Sequence, residues 1–589
     1  MSRVCVKSSR FHLCTAIILA GFLLLCGRLY FLQVLEAEEI AAEVEIVRKR
    51  LLKLEARRGD ILDRNGNLLA GTRSRILLGA DPQVVDGEQN SKLAMLAGVI
   101  DMDFAELSAL LDRRERIDSK GQARLVRWVP IAEIDEDVYA AVQEIGLKGV
   151  YGNRRYERYY PGKELGAHLI GFINKEQTPV MGVESALDYY LRGQSGWRET
   201  EVDGRRRELA AFRDREVTPR DGMHIQLTLD LIIQSIIESS LKELVEATQP
   251  EAATVIVSCP RTGEILGLTN YPTFDPNEFW EFPIASQRNR AVSDQYEPGS
   301  TFKIVAVSGA LEDGLVHPDS EINCSIQRKE FNGVSIPMPS DHRDLGTVPV
   351  RTVVAKSSNR GAATIGMMLG EERMYAWARQ FGFGQPVGWA LEGDSKGNLP
   401  MVKDWDGYTI SRLPTGYAIG ATPMQVHLAM ATIANDGVWV QPRLLEKVLD
   451  PTSAQAIALD PDKRTRVISE YTARQMKQML TKVVSPEGTA RRAALPGYAV
   501  AGKTGTARKI IDGQYSHNHH VASFSGFFPA KNPAVVITVV VDDAKVDGPA
   551  YGGAVAAPLF QDIGMKLIPH LDIKKPDNLE PFIVSNDRI

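Results

Sequence analysis

Hydrophobic positions change their spacing several times along this chain. Phe11 to Leu35 is almost entirely apolar, with Arg28 and Gln33 late in the run. About 20 helical residues span a bilayer core, so this stretch predicts one membrane-spanning helix, with Arg28 snorkelling toward an interface. Glu43 to Leu54 is charged and reads as a helical or extended stalk. Asp60-Ile61-Leu62 and Leu68-Leu69-Ala70 flank Asn65-Gly66, the signature of a hairpin turn. From about Gly222 the pattern changes. Leu227 to Asp230 leads into an amphipathic helix ending near Ala247. Ala253–Ser258 and Glu264–Leu268 then alternate as strands about a turn at Arg261-Thr262-Gly263. Ile304 to Leu311 is apolar and helical until Asp313-Gly314 stops it. Strands return at Tyr498–Lys509, Val521–Phe527 and Ala534–Val541. One sheet thus takes strands from both ends of the segment with helices between them, an α+β pattern.

At 589 residues the chain is long enough for two or three domains. Hydrophobic residues make up 44% and charged residues 24%, which permits a full-sized core. A net charge of −5 over this length argues against a nucleic-acid or polyanion partner. The ends are more telling. Arg3, Lys7 and Arg10 precede the apolar run, and Glu36, Glu38, Glu39, Glu43 and Glu45 follow it. That asymmetry places the N-terminus in the cytoplasm and the rest outside. No A-x-A site closely follows the run, so an anchor is expected instead of a cleaved signal peptide. Five cysteines make no disulfide framework. Only Cys259 and Cys324 lie well beyond the anchor, and they could pair or remain free thiols.

The candidate chemistry lies in three short motifs. Ser300-Thr301-Phe302-Lys303, Ser357-Ser358-Asn359 and Lys503-Thr504-Gly505 read S-x-x-K, S-x-N and K-T-G in that order. Ser239-Ser240-Leu241-Lys242 also fits the first pattern, but lies inside a continuous helical run. Ser516-His517-Asn518 fits the second, but follows the K-T-G. The turn Tyr296-Glu297-Pro298-Gly299 puts Ser300 at a helix N-terminus. Lys303 lies one turn on, so both side chains share a face. A neutral Lys303 amine could take the Ser300 proton, its pKa lowered by the helix terminus, by burial and by Lys503 as a second cation. Ser357 can relay a proton to a leaving amine. Asn359 can orient Lys303 and hold a substrate amide. Lys503, Thr504 and Thr506 offer a charge and two hydroxyls for a peptide C-terminal carboxylate. Gly502 and Gly505 would let a substrate backbone lie against their strand. No G-x-S-x-G elbow surrounds Ser300, and none of the ten histidines lies in a motif, which disfavours a Ser-His-Asp site. His517, His519 and His520 read as a solvated hairpin tip. Neither a metal nor an organic cofactor is expected.

These motifs resemble the active-site set of the penicillin-binding proteins. Arg57-Arg58-Gly59-Asp60-Ile61-Leu62-Asp63-Arg64-Asn65-Gly66 resembles the opening of the non-catalytic module of their class B, monofunctional branch. Arg158 to Gly162, Ala167 to Gly171, Gly182-Val183-Glu184 and Asp203-Gly204 match later segments of that module. The resemblance implies that Arg58, Arg64, Arg158 and Glu184 are structural members of a buried polar network. His168 is expected as a hydrogen-bonded core residue. It also implies an oxyanion hole from the backbone N–H groups of Ser300 and Thr506. Tyr551 to Pro558 resembles the family segment that opens the terminal helix. One departure is Gly416-Tyr417-Ala418, where the family usually has G-x-G. Ala418 restricts the backbone if φ > 0 is required there.

The organisation expected is a cytoplasmic tail over residues 1–10, an anchor over 11–35 and a pedestal or dimerisation-type module over 36–220. A transpeptidase domain over 221–570, with an antiparallel sheet flanked by helical clusters, and a polar tail over 571–589 complete it. No Glu-Asp-x-x-Phe glycosyltransferase motif precedes the transpeptidase domain, which excludes the bifunctional class A. The chain most resembles the division-associated, FtsI-type D,D-transpeptidases of the bacterial inner membrane, with the catalytic domain in the periplasm. The implied reaction cross-links peptidoglycan stem peptides through a Ser300 acyl-enzyme, which β-lactams would trap. The implied partners are D-Ala-D-Ala stem peptides and their acceptor amines, β-lactam antibiotics, a membrane glycosyltransferase of the SEDS type and other division proteins. Alternatives are an elongation-type transpeptidase, a D,D-carboxypeptidase or β-lactamase-like hydrolase, a signalling receptor and a scaffold with an idle site.

Overall fold

The structure is a computed structural model that describes residues 8–38, 49–85, 89–117, 121–202, 208–453, 455–457 and 463–575. Asp203-Gly204, the start of the stalk and the tail beyond residue 575 lie outside the described residues. The chain forms two compact units. The first takes Met1–Arg57 and Gly193–Gly222. It contains a helix, Ser8–Tyr30, that continues as a π-helical turn over Phe31–Leu35. Phe11–Leu35 is 25 residues long, and none of it is buried in the protein, as a span facing lipid requires. Lys49–Leu54, the described end of the stalk, is an edge strand. It joins Gly196–Val202 and Glu208–Val217 in a three-stranded antiparallel sheet.

The second unit takes Arg58–Arg192 and Met223–Ile589. It opens with β1 (Ile61–Leu62) and β2 (Leu68–Ala80), paired antiparallel. Between them, Asp63 is fully buried and its carboxylate accepts from the backbone N–H of Asn65 and of Asn67, each at 2.8 Å. Gly66 has φ +86°, the left-handed conformation that the Asn-Gly pair anticipates. Beside this turn, the fully buried Glu184 carboxylate accepts from Arg158 Nε at 2.6 Å and Arg58 Nε at 2.8 Å. A buried carboxylate held by two guanidiniums is stable only while all three stay paired. Arg64 is not part of this network. It lies 3.6 Å from Glu264, a carboxylate that Arg443 also engages. His168 is buried and its Nε2 lies 2.8 Å from the Ser286 carbonyl, with burial pushing its pKa down to about 4. That is a core histidine.

Next, β3 (His224–Leu227) runs parallel to β1 and antiparallel to Leu445–Leu449. One sheet therefore contains Leu445–Leu449, β3, β1, β2 and Val129–Ile134, and it crosses residue 220 without a break. Asp230 then caps α1 (Leu231–Thr248), accepting from the N–H groups of Ile232 and Ile233 at 3.0 and 3.1 Å. Ser239 lies mid-helix, its hydroxyl donating to the Ile236 carbonyl at 3.0 Å.

The main sheet is antiparallel. It is built from β4 (Ala252–Ser258), β5 (Ile265–Tyr271), β6 (Ala501–Ile511), β7 (Gln514–Phe528) and β8 (Val535–Asp542), in the spatial order β5-β4-β8-β7-β6. Val535 to Val541 are all buried. That explains why the run is apolar at every position but Thr538, whose hydroxyl meets Ser525 and His427, since a central strand covered on both faces needs no alternation. Helices Pro423–Ala434 and Ala556–His570 pack against β8. Among the described residues, β6 lies at the edge of this sheet with no strand on its outer side. Cys259 and Cys324 are free thiols.

Candidate active site

Four local features bring the motifs together. A 3₁₀ turn over Gly299–Phe302 leads into α2 (Lys303–Glu312), which puts Ser300 at the mouth of a helix and Lys303 beneath it, 2% exposed. Then α3 (Val350–Lys356) ends at Ser357, which takes the left-handed conformation with φ +57° and ψ +40°. A non-glycine residue adopts that conformation at a cost of about 1–2 kcal/mol, and it does so where surrounding bonds enforce it. Here they do. Ser358 caps α4 (Asn359–Leu369), accepting from Gly361 N–H at 2.9 Å while its hydroxyl donates to Asp341 at 2.6 Å. Asp341 also accepts from the Asn359 N–H. The tight turn between α3 and α4 aims Ser357 and Asn359 at the same amine. Lys303 Nζ donates to the Ser357 carbonyl at 2.6 Å, to Asn359 Oδ1 at 2.7 Å and to Ser357 Oγ at 3.2 Å.

The third motif arrives on β6. Lys503 is fully buried, and its Nζ donates to Ser357 Oγ at 2.8 Å and to its neighbour's carbonyl, Thr504 O, at 3.2 Å. Ser357 Oγ thus lies between two amines. Burial lowers the Lys303 pKa to about 7, against the opposing pull of the Asp341 carboxylate. Burial also pushes Lys503 well down, and the nearby Lys303 charge adds to that. Two amines bridged by one hydroxyl titrate as a pair, so the site favours one positive charge over two. Burial, not the neighbouring cation, is the first cause for Lys303.

Thr504 and Thr506 line the cleft together with Ser300, Ser357 and Asn359. Thr504 Oγ1 lies 2.9 Å from Thr489 Oγ1, and Thr506 Oγ1 accepts from Gly552 N–H at 3.1 Å. The latter bond leaves the Thr506 hydroxyl hydrogen for a ligand. Gly505 is required by close approach: a Cβ there would lie 2.3 Å from Ser523 Oγ and 2.8 Å from the Pro298 carbonyl. The turn before Ser300 therefore presses directly on β6. The cleft occupies about 1150 Å³.

The histidines do not sit at a hairpin tip. The β6–β7 turn is Asp512-Gly513, with φ +52° and +77°, and His517, His519 and His520 lie within β7. The strand continues through these loop-like polar residues because β6 pairs with them, Ile511 with Gln514, Ile510 with Tyr515 and Arg508 with His520, whereas β8 pairs only from Val521 onward. Neighbouring positions on a strand face opposite sides. His519 meets the Asp543 carboxylate at 2.8 Å, whereas His520 is buried, lines the cleft and lies beside Tyr551. They cannot converge on one ion. Ser516 is equally remote from the amines, its hydroxyl accepting from Asn518 N–H at 3.2 Å.

Residues 253–564 match the family model of the penicillin binding protein transpeptidase domain, and residues 53–227 match that of the penicillin-binding protein dimerisation domain. This chain belongs to the class B penicillin-binding proteins. It is 30% identical to the peptidoglycan D,D-transpeptidase FtsI of Escherichia coli, over 97% of this chain and 93% of that one. It is 31% identical to the stage V sporulation protein D of Bacillus subtilis, over 95% of this chain and 85% of that one. Penicillin binding protein 3 of Mycobacterium tuberculosis, solved with aztreonam, superposes with a TM-score of 0.68 at 28% identity. That superposition covers 91% of this chain and 100% of the other.

Several residues around the site of this penicillin-binding protein carry no sequence signal. Asp341 lies 16 positions before Ser357 within the polar run Ser340–Asp344, which fits none of the motifs, yet it anchors both Ser358 and Asn359. Glu297, just before Ser300, accepts at one oxygen from Ala418 N–H at 3.0 Å and from the Tyr515 hydroxyl at 3.1 Å. It joins the Ser300 turn to the two aromatic walls, where Tyr417 and Tyr515 meet edge to face at 5.8 Å. Ala418 has φ +60°, so the substitution of the family's glycine leaves a strained alanine in the cleft wall.

Proposed function

We propose that this protein is a peptidoglycan D,D-transpeptidase whose nucleophile is Ser300 and whose general base is the neutral amine of Lys303. The observation that carries the reading is the position of Ser357 Oγ between Lys303 Nζ and Lys503 Nζ, at 3.2 and 2.8 Å. As an ammonium, Lys303 has three hydrogens and three acceptors. As an amine it gives one up and exposes a lone pair, which burial favours near pH 7. That lone pair takes the Ser300 proton as the hydroxyl oxygen attacks the penultimate D-Ala carbonyl. The oxyanion is held by the backbone N–H groups of Ser300 and Thr506. The Ser357 hydroxyl then passes a proton from the amine pair to the departing D-Ala nitrogen. An amine from a second stem attacks the acyl-enzyme, and the same groups run in reverse.

Asn359 fixes Lys303 through Oδ1, and its Nδ2 is committed to the Ser340 carbonyl at 2.8 Å. Thr504, Gly505 and Thr506 form the strand edge on which the substrate lies, with the two hydroxyls at its terminal carboxylate. Lys503 works from behind that edge, through Ser357, as the cation that stabilises the carboxylate and supplies the relay. A β-lactam, with its own carboxylate, enters the same way and remains attached to Ser300.

Septal wall synthesis is the role supported by the FtsI relative, with the apolar helix as an inner-membrane anchor, its N-terminus cytoplasmic and the catalytic unit periplasmic. A lone transpeptidase needs glycan strands made elsewhere, so a SEDS-type glycosyltransferase and other division proteins are the proposed partners. The decisive experiment is intact mass after incubating the detergent-solubilised full chain with penicillin. A stable adduct on the native protein that is absent from Ser300→Ala is the expected result. An adduct that persists on Ser300→Ala, or none on the native protein, overturns the reading.

A further inference from the structure

The cleft is roomier than one small ligand needs, and it is charged against the sign of the whole chain. Its volume of about 1150 Å³ exceeds the roughly 300–1,000 Å³ of a pocket for a single small ligand. The protein carries a net charge of −5, yet four exposed guanidiniums line the cleft, those of Arg412, Arg491, Arg492 and Arg508. They form two groups. Arg412 and Arg508 stand at the Tyr417 wall, where the charge of each acts on the same phenol. Arg491 and Arg492 open the turn over Arg491–Ala493 at the Thr504 end of the site. That turn follows Thr489, whose hydroxyl lies 2.9 Å from that of Thr504. Arg492 Nη1 reaches the Ala554 carbonyl at 3.5 Å, and Lys356, another lining base, donates to the Glu487 carbonyl at 2.5 Å. Among the described residues neither Arg491 nor Arg492 is paired with a carboxylate. The acids lining the cleft are Asp341 and Asp406, and both are already engaged, the first by Ser358 and Asn359 and the second by Tyr408 and Thr409. The Arg491–Arg492 end is therefore complementary to an anion that the protein itself does not supply.

The order of events in acyl transfer says what comes there. With the donor's terminal carboxylate at the Thr504 and Thr506 hydroxyls and its scissile carbonyl at the Ser300 and Thr506 N–H groups, the acyl chain runs along β6 toward Arg508, about 7 Å beyond Thr506. The departing D-Ala therefore lies on the Thr504 side. The acceptor amine must take the place of the D-Ala nitrogen, so the body of the acceptor occupies that side and continues past Thr504 toward the two arginines. Its nitrogen bonds to the acyl carbon as the ester bond to Ser300 breaks, and the proton it sheds passes through Ser357 and the lysine pair to Ser300 Oγ. We propose, resting on the Ser300 reading above, that Arg491 and Arg492, with Lys356, form the acceptor subsite and select acidic acceptors, amines that carry a second carboxylate beyond the one beside the nitrogen. The carboxylate beside the nitrogen repeats that of D-Ala at Thr504 and Thr506. The second meets the guanidiniums, which match it in charge and in paired hydrogen-bond geometry, as they do not match a carboxamide.

The test uses the full chain in detergent, acylated by a synthetic peptidyl-D-Ala thioester, with D-2-amino diacids of increasing length or their ω-carboxamides as acceptors. The quantity measured is the ratio of transfer to hydrolysis. At low salt the diacid is expected to exceed its carboxamide by about fivefold at the length that reaches the arginines, with the difference shrinking as ionic strength rises. The preference is expected to fall to unity in Arg491→Gln/Arg492→Gln and to persist in Arg508→Gln. A penicillin adduct reports in each case that the fold and the Ser300 chemistry are intact. Equal transfer to diacid and carboxamide at every length, on a native protein that does transfer to D-alanine, overturns this inference alone. So does a preference that survives in an adduct-forming double variant, or one that disappears in Arg508→Gln instead. If the double variant forms no adduct, the two single variants and the salt dependence of the native protein decide. A native protein that forms no adduct, or that hydrolyses the thioester and transfers to no amine, overturns the transpeptidase reading and this inference with it.

Discussion

Acylation by penicillin should follow the loss of one proton from the buried Lys303–Lys503 pair, with Lys303 as the amine that gives it up. With the Lys303 midpoint at about 7, roughly a tenth of the protein carries a neutral amine at pH 6 and about nine tenths at pH 8. The second-order rate constant for adduct formation is therefore expected to rise about tenfold from pH 6 to pH 8 and then level off. A solvent-exposed lysine, titrating near 10.4, would give about a hundredfold rise over the same range and keep climbing. Asp341 is the charge that opposes burial at Lys303. Asp341→Asn should move the midpoint to lower pH, because the charged amine loses the larger of the charges that favour it. Stopped-flow measurement with a fluorescent penicillin, from pH 5.5 to 9.5, gives both curves. A rate still climbing tenfold per pH unit above 8, or a midpoint that moves upward in Asp341→Asn, refutes the assignment of Lys303 as base. The same lowered pKa has a stability consequence of definite sign. Between about pH 7 and the unfolded lysine value the unfolded chain binds more protons than the folded one. The Lys303 contribution therefore improves as pH rises through that window, and its penalty is complete below it.

Ala418→Gly should stabilise the protein by about 0.5–1 kcal/mol. Relief of a left-handed alanine, worth about 1–2 kcal/mol, outweighs the added freedom of the unfolded chain. Calorimetry should show a Tm rise of about 1–2 °C, and a lower Tm would contradict it. Glu184→Ala strands the buried Arg158 guanidinium and leaves Arg58 with Asp188 as its remaining carboxylate, and should destabilise by about 3–5 kcal/mol in a denaturant titration. Ser239→Ala and Ser516→Ala should form the penicillin adduct at the native rate, since one hydroxyl bonds its own helix and the other its own strand. Cys259 should react with a thiol reagent in the folded protein and Cys324 only after unfolding, with totals unchanged by reductant.

The sequence makes Ser300, Lys303 and the K-T-G strand legible because each motif sits in an element whose own signals are strong. A turn precedes Ser300, a helix follows it, and the short apolar run Tyr498 to Ala501 leads into the third motif. Parts of the site joined by tertiary contacts are not legible. Asp341 matters because a turn between two helices needs its carboxylate. Thr489 and Gly552 matter because they approach β6 from 15 and 46 residues away. The histidine run misleads because polar composition suggests a loop, while pairing with the outer end of β6 carries the strand through it. Arg64 shares a signature with Arg58 but points toward Glu264, a direction that motif spacing does not encode. Lys503 reads as a grip on substrate from its motif, yet its depth is set by the packing behind β6.

The ribbon His224–Leu227 is laced on one side to Ile61–Leu62 and on the other to Leu445–Leu449. A gene cut near residue 220 would therefore not yield a free-standing catalytic half. It would bare a raw sheet margin, with unmet donors and acceptors that recruit another copy. The pedestal is better regarded as masonry common to both halves than as a detachable spacer. Any conformational signal that repacks the pedestal's strands has a covalently continuous, hydrogen-bonded path toward the enzyme's interior.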